Sequence, residues 1–431
     1  MAKKAKLLEQ LGKNIKNIQI NDDNFNVEEI DVEVLKEIKE KLRETITDYR
    51  EDISYHPLEN SIMITFLGLM ANCNEWTEIR EFAVLHHEWF KLFLDLTYDI
   101  PSLSTIKRCI SVVDPSELEE VCIEMIINKI TQLQELLDVK IEEKEIVAYD
   151  GKVCRGSKRE ETKNGKVKPL NAMTAFNVTK DISLGTKFIE DKTNEIPTGP
   201  ELIKHLDLTN TISTFDALNT QEETIKAIVE KGGDYVGALK GNQHSTYDDV
   251  VSYFSDNELY NDAYNKCHYE ETEKLHNQIE KRTYIMSDDI DYLNKDKWKN
   301  LKSIGICKKE VIKNDVKQVE IRYYITSLEL KYLNDFKRAV REEWGIENNL
   351  HWHLDVTFKE DANTTMNKNA QANLNILRKL CLNILKLVKP MYNKSLKLIR
   401  FRIGQNFEEE IINIFRCLNI NKLKEITQKT K

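Results

Sequence analysis

VREEWGIENNLHWHLDVTFKED, from Val340 to Asp361, is the stretch on which the reading of this chain turns. Its spacing predicts a helix that presents a lone carboxylate, Glu347, among Trp344, Ile346, Leu350 and Trp352. Two further carboxylates stand upstream, each closing an apolar run: Asp150 in EIVAYDGK and Asp216 in TISTFDALNTQ. Short apolar runs bounded by polar turns read as buried strands, and open α/β sheets place their chemistry at strand C-terminal ends. Two carboxylates from strand ends and a third from a later helix form the donor set of a two-metal phosphoryl-transfer site. Oxygen ligands without histidine favour Mg2+ over zinc, with Mn2+ as the substitute. On this assignment Asp150 bridges two ions, while Asp216 and Glu347 each complete one.

Working outward, EIVAY, AMTAFNVT and LGTKFIE read as consecutive strands. Pro197 and Pro200 then open a helix through ELIKHLDL. The strand TISTFDAL, the helix QEETIKAIVEKG and the strand DYVGALKG follow. A meander that gives way to alternating strands and helices predicts an α/β fold, a mixed sheet flanked by helices. KRTYIMS, SIGICKKEVI and QVEIRYYITS predict a β-rich insertion, about 245–330, ahead of the Glu347 helix. Residues 1 to about 50 read as charged helix with an acidic patch at Asp22, Asp23, Glu28, Glu29, Asp31 and Glu33. From Ser61 to Leu137 apolar residues recur at three- and four-residue steps, punctuated by Pro101 and Pro115. The expected division is an all-helical domain at 1–140, a mixed-sheet domain at 141–405 and a helical tail at 406–431.

The length, 431 residues, suits two or three domains, and 41% hydrophobic with 31% charged residues suits a globular protein. No apolar run is long enough for a membrane span, and MAKKAKLLEQLGKNIKNIQI lacks the apolar core of a secretory signal. A cytoplasmic protein is expected. The eight cysteines are scattered without a CxxC pair and are expected to be free thiols. Cys267 with His268, and His351 with His353, are weighed as zinc ligands; the missing second pair at zinc-site spacing argues against them.

The net charge of −9 argues against a nucleic-acid partner at first sight, but local distribution governs phosphate contact. Ala362 to Phe407 holds nine basic residues and no acidic one, within a segment whose ANLNILRKLCLNILKLVK reads as an amphipathic helix. A second basic run, GKVCRGSKREETKNGKVK, follows Asp150. The first is either a solvated helix face or a DNA contact, and the second either a charged hairpin tip or a DNA contact. On the second reading Lys152 and Arg155 meet phosphate, and charge reversal at Lys386, Lys389 and Arg400 weakens DNA binding. KGNQ, Lys240 to Gln243, is either a plain turn or a phosphate contact through Lys240. GxxxxGK[ST], GxSxG, HExxH and GxGxxG motifs are missing from the sequence.

YDGK, IEDKTNEIP, FDALNTQ, DYVGALKGNQ and, above all, WGIENNLHWHLDVTFKED resemble the H-repeat-associated group of bacterial insertion-sequence transposases. NSIMITFLGLMANCNEWTEIREF and DIPSLSTIKRCISVVDP are similar to the helical domain ahead of the catalytic core in that group, so the resemblance spans most of the chain. These are DDE enzymes with a ribonuclease-H-like catalytic domain. The resemblance implies Asp150, Asp216 and Glu347 as ligands of two Mg2+ ions and a water attack that frees a 3′-OH, which then attacks target DNA. It implies double-stranded DNA partners (terminal inverted repeats and target), a homodimer in the DNA complex and action at the nucleoid. It adds Lys192 in DKTNEIP, with Asn194 and Glu195, to the site rim. Arg341 upstream of Glu347 and Lys359 downstream become phosphate contacts. The chain departs from the group in LHNQIEKR, which keeps His276, Ile279, Glu280 and Arg282 but has Asn277 and Gln278, and at Glu343, where the group has a basic residue or histidine. The alternatives are an inactive relic that only binds DNA and a ribonuclease-H-like nuclease without strand transfer.

Overall fold

The computed structural model describes residues 6–20, 32–50, 55–157, 169–189, 195–275, 278–314 and 316–429. The apolar runs join into one nine-stranded mixed sheet. Its strands are β1 (Glu145–Cys154), β2 (Leu170–Asn177), β3 (Ile182–Ile189), β4 (Thr211–Phe215), β5 (Asp234–Leu239), β6 (His268–Leu275), β7 (Gln278–Ser287), β8 (Ser303–Lys313) and β9 (Val316–Thr326). They lie in the order β3-β2-β1-β4-β5-β9-β8-β7-β6. β1, β4 and β5 pair in parallel, joined through the helices Glu195–Ile203 and Glu222–Glu230. The other pairings are antiparallel. Every residue of β4 is buried, as expected of a parallel strand covered on both faces.

The stretch from Asn242 onward corrects one expectation. Its first part is helical, His244–Ser255 and Asn257–Lys266, and only then do β6 to β9 extend the sheet beyond β5. HYEETEKL forms the outermost strand despite its few apolar residues. Cross-strand ion pairs stand in for apolar contacts there: Lys281 to Glu270 at 3.0 Å and Arg282 to Glu273 at 3.4 Å. Such charges also suit an edge exposed to water.

The N-terminal part is helical, with Leu7–Ile20, Glu33–Thr45, Leu58–Met70, Trp76–Leu85, Leu103–Val112 and Pro115–Leu137 as its longer members. Asp114 caps the last of these by accepting from the backbone N–H of Ser116 and Glu117, with Pro115 in the first turn where its missing N–H is tolerated. These helices share one hydrophobic core with residues from Ile346 to Leu423 and with Ala148, Phe176, Val178 and Ile182 on one face of the sheet. No helix among the described residues is long and apolar enough to cross a membrane.

At the centre of that core runs the helix Lys368–Tyr392, buried without interruption from Ala370 to Val388. This overturns its reading as an amphipathic helix with a solvated basic face. Arg378 is 2% exposed, Lys379 5%, Lys386 6% and Arg400, on the next helix, 0%. Lys379, Lys386 and Arg400 have partners from distant sequence. Lys379 Nζ donates to Thr174 Oγ1 at 3.0 Å and Thr186 Oγ1 at 2.5 Å, and Lys386 Nζ to Asp181 Oδ1 at 2.9 Å. Arg400 donates to the carbonyls of Leu69 and Thr357 and lies over the Phe358 ring at 4.1 Å. Burial pushes Lys379 down to about 8 and Arg400 to about 10. Lys386 and Arg400 therefore belong to the interior, and reversing their charge would attack folding before DNA binding.

Arg400→Ala removes the guanidinium donor to the Leu69 and Thr357 carbonyls and empties a buried site. The expected loss of unfolding free energy is about 2–5 kcal/mol, read by denaturant melting; a variant that melts with the wild type would contradict this role.

Candidate metal and phosphate site

The parallel ladder between β1 and β4 ends at the pair Tyr149 and Phe215. Asp150 is the next residue of β1, and Asp216 is the first residue after β4. Adjacent strands lie about 4.8 Å apart, and alternation turns both aspartates to the face opposite Tyr149 and Phe215. Register thus brings together two carboxylates that are distant in sequence. Asp150 sits inside β1 rather than at its end, because the strand continues to Cys154 against β2 alone.

The loop after Asp216 is stitched in place. Asp216 Oδ1 accepts from the backbone N–H and side-chain amide of Asn219, both at 3.1 Å. Asn242 and Gln243 of KGNQ donate to the Ala217 carbonyl, and Gln243 also to the Thr220 carbonyl at 3.0 Å. KGNQ is therefore a brace for the Asp216 loop, and it leaves Lys240 exposed at the cleft.

Glu347 arrives on an irregular helix. The α-helix Leu333–Glu342 passes into wider π-helical turns at Glu347–His351 and His353–Thr357, a feature frequent at functional sites. Gly345 makes the approach to the sheet possible: a Cβ there would meet Val178 Cγ1 at 2.5 Å. His351 Nδ1 then lies 3.1 Å from Glu347 Oε2 and 3.3 Å from Asp150 Oδ2. One atom from each of these three side chains falls within 4.8 Å of the others. His351 is buried, and its Nε2 has no hydrogen-bond partner among the described residues.

Asp216 stands outside this tight group but lines the same cleft of about 580 Å³, together with Lys240, Arg322, Glu343 and Trp344. Burial pushes the Glu343 carboxyl up to about 7; Asp216 and Asp150 add to the rise, while Arg322 and Lys240 oppose it. The cleft thus offers Lys240 and Arg322, the latter paired through Nε with Glu320 of the same lining at 2.7 Å, beside a carboxylate cluster.

The other expected contacts are placed differently. Lys152 is not a phosphate contact: its Nζ donates to Asp355 Oδ1 at 2.6 Å and Glu360 Oε2 at 2.8 Å, and its side chain is 11% exposed. Glu360 also accepts from Asn375 of the central helix at 2.8 Å, with Arg378 at 3.8 Å. Burial alone would raise the Glu360 carboxyl, but Lys152 and Arg378 outweigh it and hold the group at about 2. Arg341 is engaged by Glu271 and Glu273 of β6 and does not line the Asp150 cleft. Arg155 and Lys359 are exposed, Lys359 in a left-handed conformation with φ 51°. Lys192 and Asn194 lie outside the described residues, as do Lys158, Arg159, Lys163, Lys166 and Lys168 of the second basic run.

Two cleft residues escaped the sequence reading, His351 as a partner of the carboxylates and Arg322; Glu343, noted there as a departure from the group, lines the same surface. The four-residue step from Glu347 to His351, which puts both on one helix face, was the available signal for the first. All eight cysteines are free, seven of them buried.

The family profile described as "Transposase DDE domain" matches residues 141–384, and one described as "DDE_Tnp_1-associated" matches residues 42–126. The transposase candidate YncI of Escherichia coli O157:H7 is 31% identical over 386 residues, covering 86% of this chain and 94% of its own. The H repeat-associated protein YhhI of Escherichia coli (strain K12) is 30% identical over 358 residues, covering 81% of this chain and 90% of its own. The H repeat-associated protein YbfD of the same strain is 28% identical over 260 residues, covering 60% and 97%.

Lys152→Met breaks the buried network at Glu360 and is expected to lower stability by about 3–5 kcal/mol, with the loss read in melting and not in DNA affinity alone. Because the Glu360 carboxyl is held at about 2, its contribution is complete above the ordinary carboxylate range and fades as pH falls from there toward 2. Glu360→Gln should accordingly flatten the acid limb of the stability curve. A wild-type acid limb in that variant would contradict the assignment.

Proposed function

The chain belongs to the transposase DDE family, and on that premise we propose that it is a DNA transposase that cuts and joins the ends of an insertion sequence. The observation that carries the reading is the convergence of Asp150 and Glu347 on one His351 nitrogen, at 3.3 and 3.1 Å, with Asp216 lining the same cleft. The donor set fits a hard divalent cation: carboxylate oxygens dominate, and the Asp216 carboxylate is hydrogen-bonded through one oxygen, Oδ1. We assign Asp150, Asp216 and Glu347 as the ligands of two Mg2+ ions, with Mn2+ as a substitute. His351 extends the set beyond the three carboxylates expected. Bound there, the cations would activate water and stabilise the attacking and leaving oxygens of a phosphodiester.

The protein's own groups orient the substrate. Lys240 and Arg322 offer donors to phosphate oxygens from the cleft wall. Trp344, 55% exposed and beneath the Arg322 guanidinium at 5.7 Å, offers an apolar face to the sugar or base. His351 Nδ1, 3.1 Å from Glu347 Oε2 and 3.3 Å from Asp150 Oδ2, sits between both carboxylates and keeps their oxygens facing one point.

The order β3-β2-β1-β4-β5, antiparallel and then parallel about β1, supports a ribonuclease-H-like sheet. On this reading residues 141–405 form the catalytic unit, about 245–330 its insertion, 1–140 the associated helical domain and 406–431 the helical tail. The substrates are double-stranded DNA, the element's terminal inverted repeats and a target, held by a homodimer at the nucleoid of the cytoplasm.

Asp150→Asn, Asp216→Asn and Glu347→Gln should each abolish divalent-metal-dependent cleavage of element-end DNA, by at least about 100-fold, without lowering the melting temperature. Cleavage that survives all three would contradict the assignment. His351→Ala is expected to weaken Mn2+ binding by about 10–100-fold, measured by electron paramagnetic resonance on the protein alone; unchanged binding would leave His351 with packing only.

A further inference from the structure

The segment that carries Glu347 borders a second cleft. Asn349 and His353 line a space of about 760 Å³ whose other walls are the first helix, Leu7–Ile20, and the C-terminal end of the central helix. Six lysines line it (Lys6, Lys13, Lys16, Lys386, Lys389 and Lys394) against two carboxylates, Glu9 and Asp181. Both carboxylates are already matched. Asp181 has Lys386 at 2.9 Å and Lys6 at 3.7 Å, and Glu9 has Lys13 at 2.6 Å. Lys389 and Lys394 are exposed, with no carboxylate at ion-pair distance among the described residues. In a chain of net charge −9 this excess of cations is a local construction.

The layout narrows the partner. Lys13 and Lys16 stand about one turn apart on the first helix, and Lys389 and Lys394 on another wall, so the accessible charges are spread along the cleft, as the phosphates of a strand are, about 3.4 Å apart. A single bound phosphate would instead require donors that converge. Lysine ammoniums are point charges on flexible stems, suited to phosphate oxygens and unsuited to the planar, bidentate reading of a base edge.

We propose that this lysine cleft grips the sugar-phosphate backbone of duplex DNA, independently of base sequence and outside the catalytic cleft. The inference rests on the reading of the chain as a DNA enzyme and adds a place where the duplex is held. The Glu347 segment then separates the two clefts: Glu347 and Trp344 face the one, Asn349 and His353 the other.

The test is metal-free binding of a labelled duplex of about 30 base pairs and random sequence, followed by fluorescence anisotropy in EDTA over a salt series. The triple variant Lys16→Gln, Lys389→Gln, Lys394→Gln removes the three cleft lysines that no carboxylate matches among the described residues. It is expected to bind on the order of 100-fold more weakly at about 0.1 M salt, with the log–log salt slope reduced by about 3. Lys389→Gln and Lys394→Gln alone should each reduce the slope by about 1, a readout independent of the folding of the triple variant. A charge-matched control, Lys107→Gln, Lys226→Gln, Lys313→Gln, should stay within about threefold of wild type. If the lysine-cleft triple binds with wild-type affinity and slope, or the control loses as much, this proposal is overturned while the transposase reading stands. If the wild type binds no duplex at all, both fall together.

Discussion

The geometry of the carboxylate cleft depends on one ion network built around the buried Lys152 and Glu360. Lys152 leaves β1 two residues after Asp150 and meets Asp355 and Glu360, which follow Glu347 on the next segment. Asn375 ties Glu360 to the central helix, with Arg378 close by. The network therefore clamps the strand that carries one carboxylate to the segment that carries another, and both to the core. Buried charges are expensive unless fully matched, so its members are tightly constrained in position. The same constraint explains why a lysine beside Asp150 serves the scaffold and not the substrate.

Around that clamp the two clefts divide the work by charge. One gathers Asp150, Asp216, Glu343 and Glu347 beside Lys240 and Arg322. The other gathers lysines from both ends of the chain's helical core. The acidic total of the sequence hides this division, because the cations are concentrated where two distant helices meet. On the proposed reading a polyanionic substrate needs both: metal ligands where bonds change, and unmatched cations where the rest of the duplex lies.

Much of this was legible in the sequence, for definable reasons. Buried strands such as TISTF and DYVGAL announce themselves through apolar runs, and Asp150 and Asp216 stand where those runs stop. Their adjacency was not legible, because it depends on the register Tyr149 to Phe215. HYEETEKL was missed because its pairing is ionic. The central helix misled most: its lysines and arginines read as a solvated face until Thr174, Thr186 and Asp181 supplied partners about 200 positions away. The lysine cleft was invisible for the same reason, since Lys13 and Lys389 meet only in the fold.

The central claim is that Asp150, Asp216 and Glu347 hold divalent cations in one cleft. Crystals of the protein soaked in Mn2+, with diffraction measured at the manganese absorption edge, test it directly. The account predicts anomalous density in contact with the carboxylates of Asp150 and Glu347, on the side facing Asp216. Anomalous density elsewhere, or a cleft without any at saturating Mn2+, would contradict it.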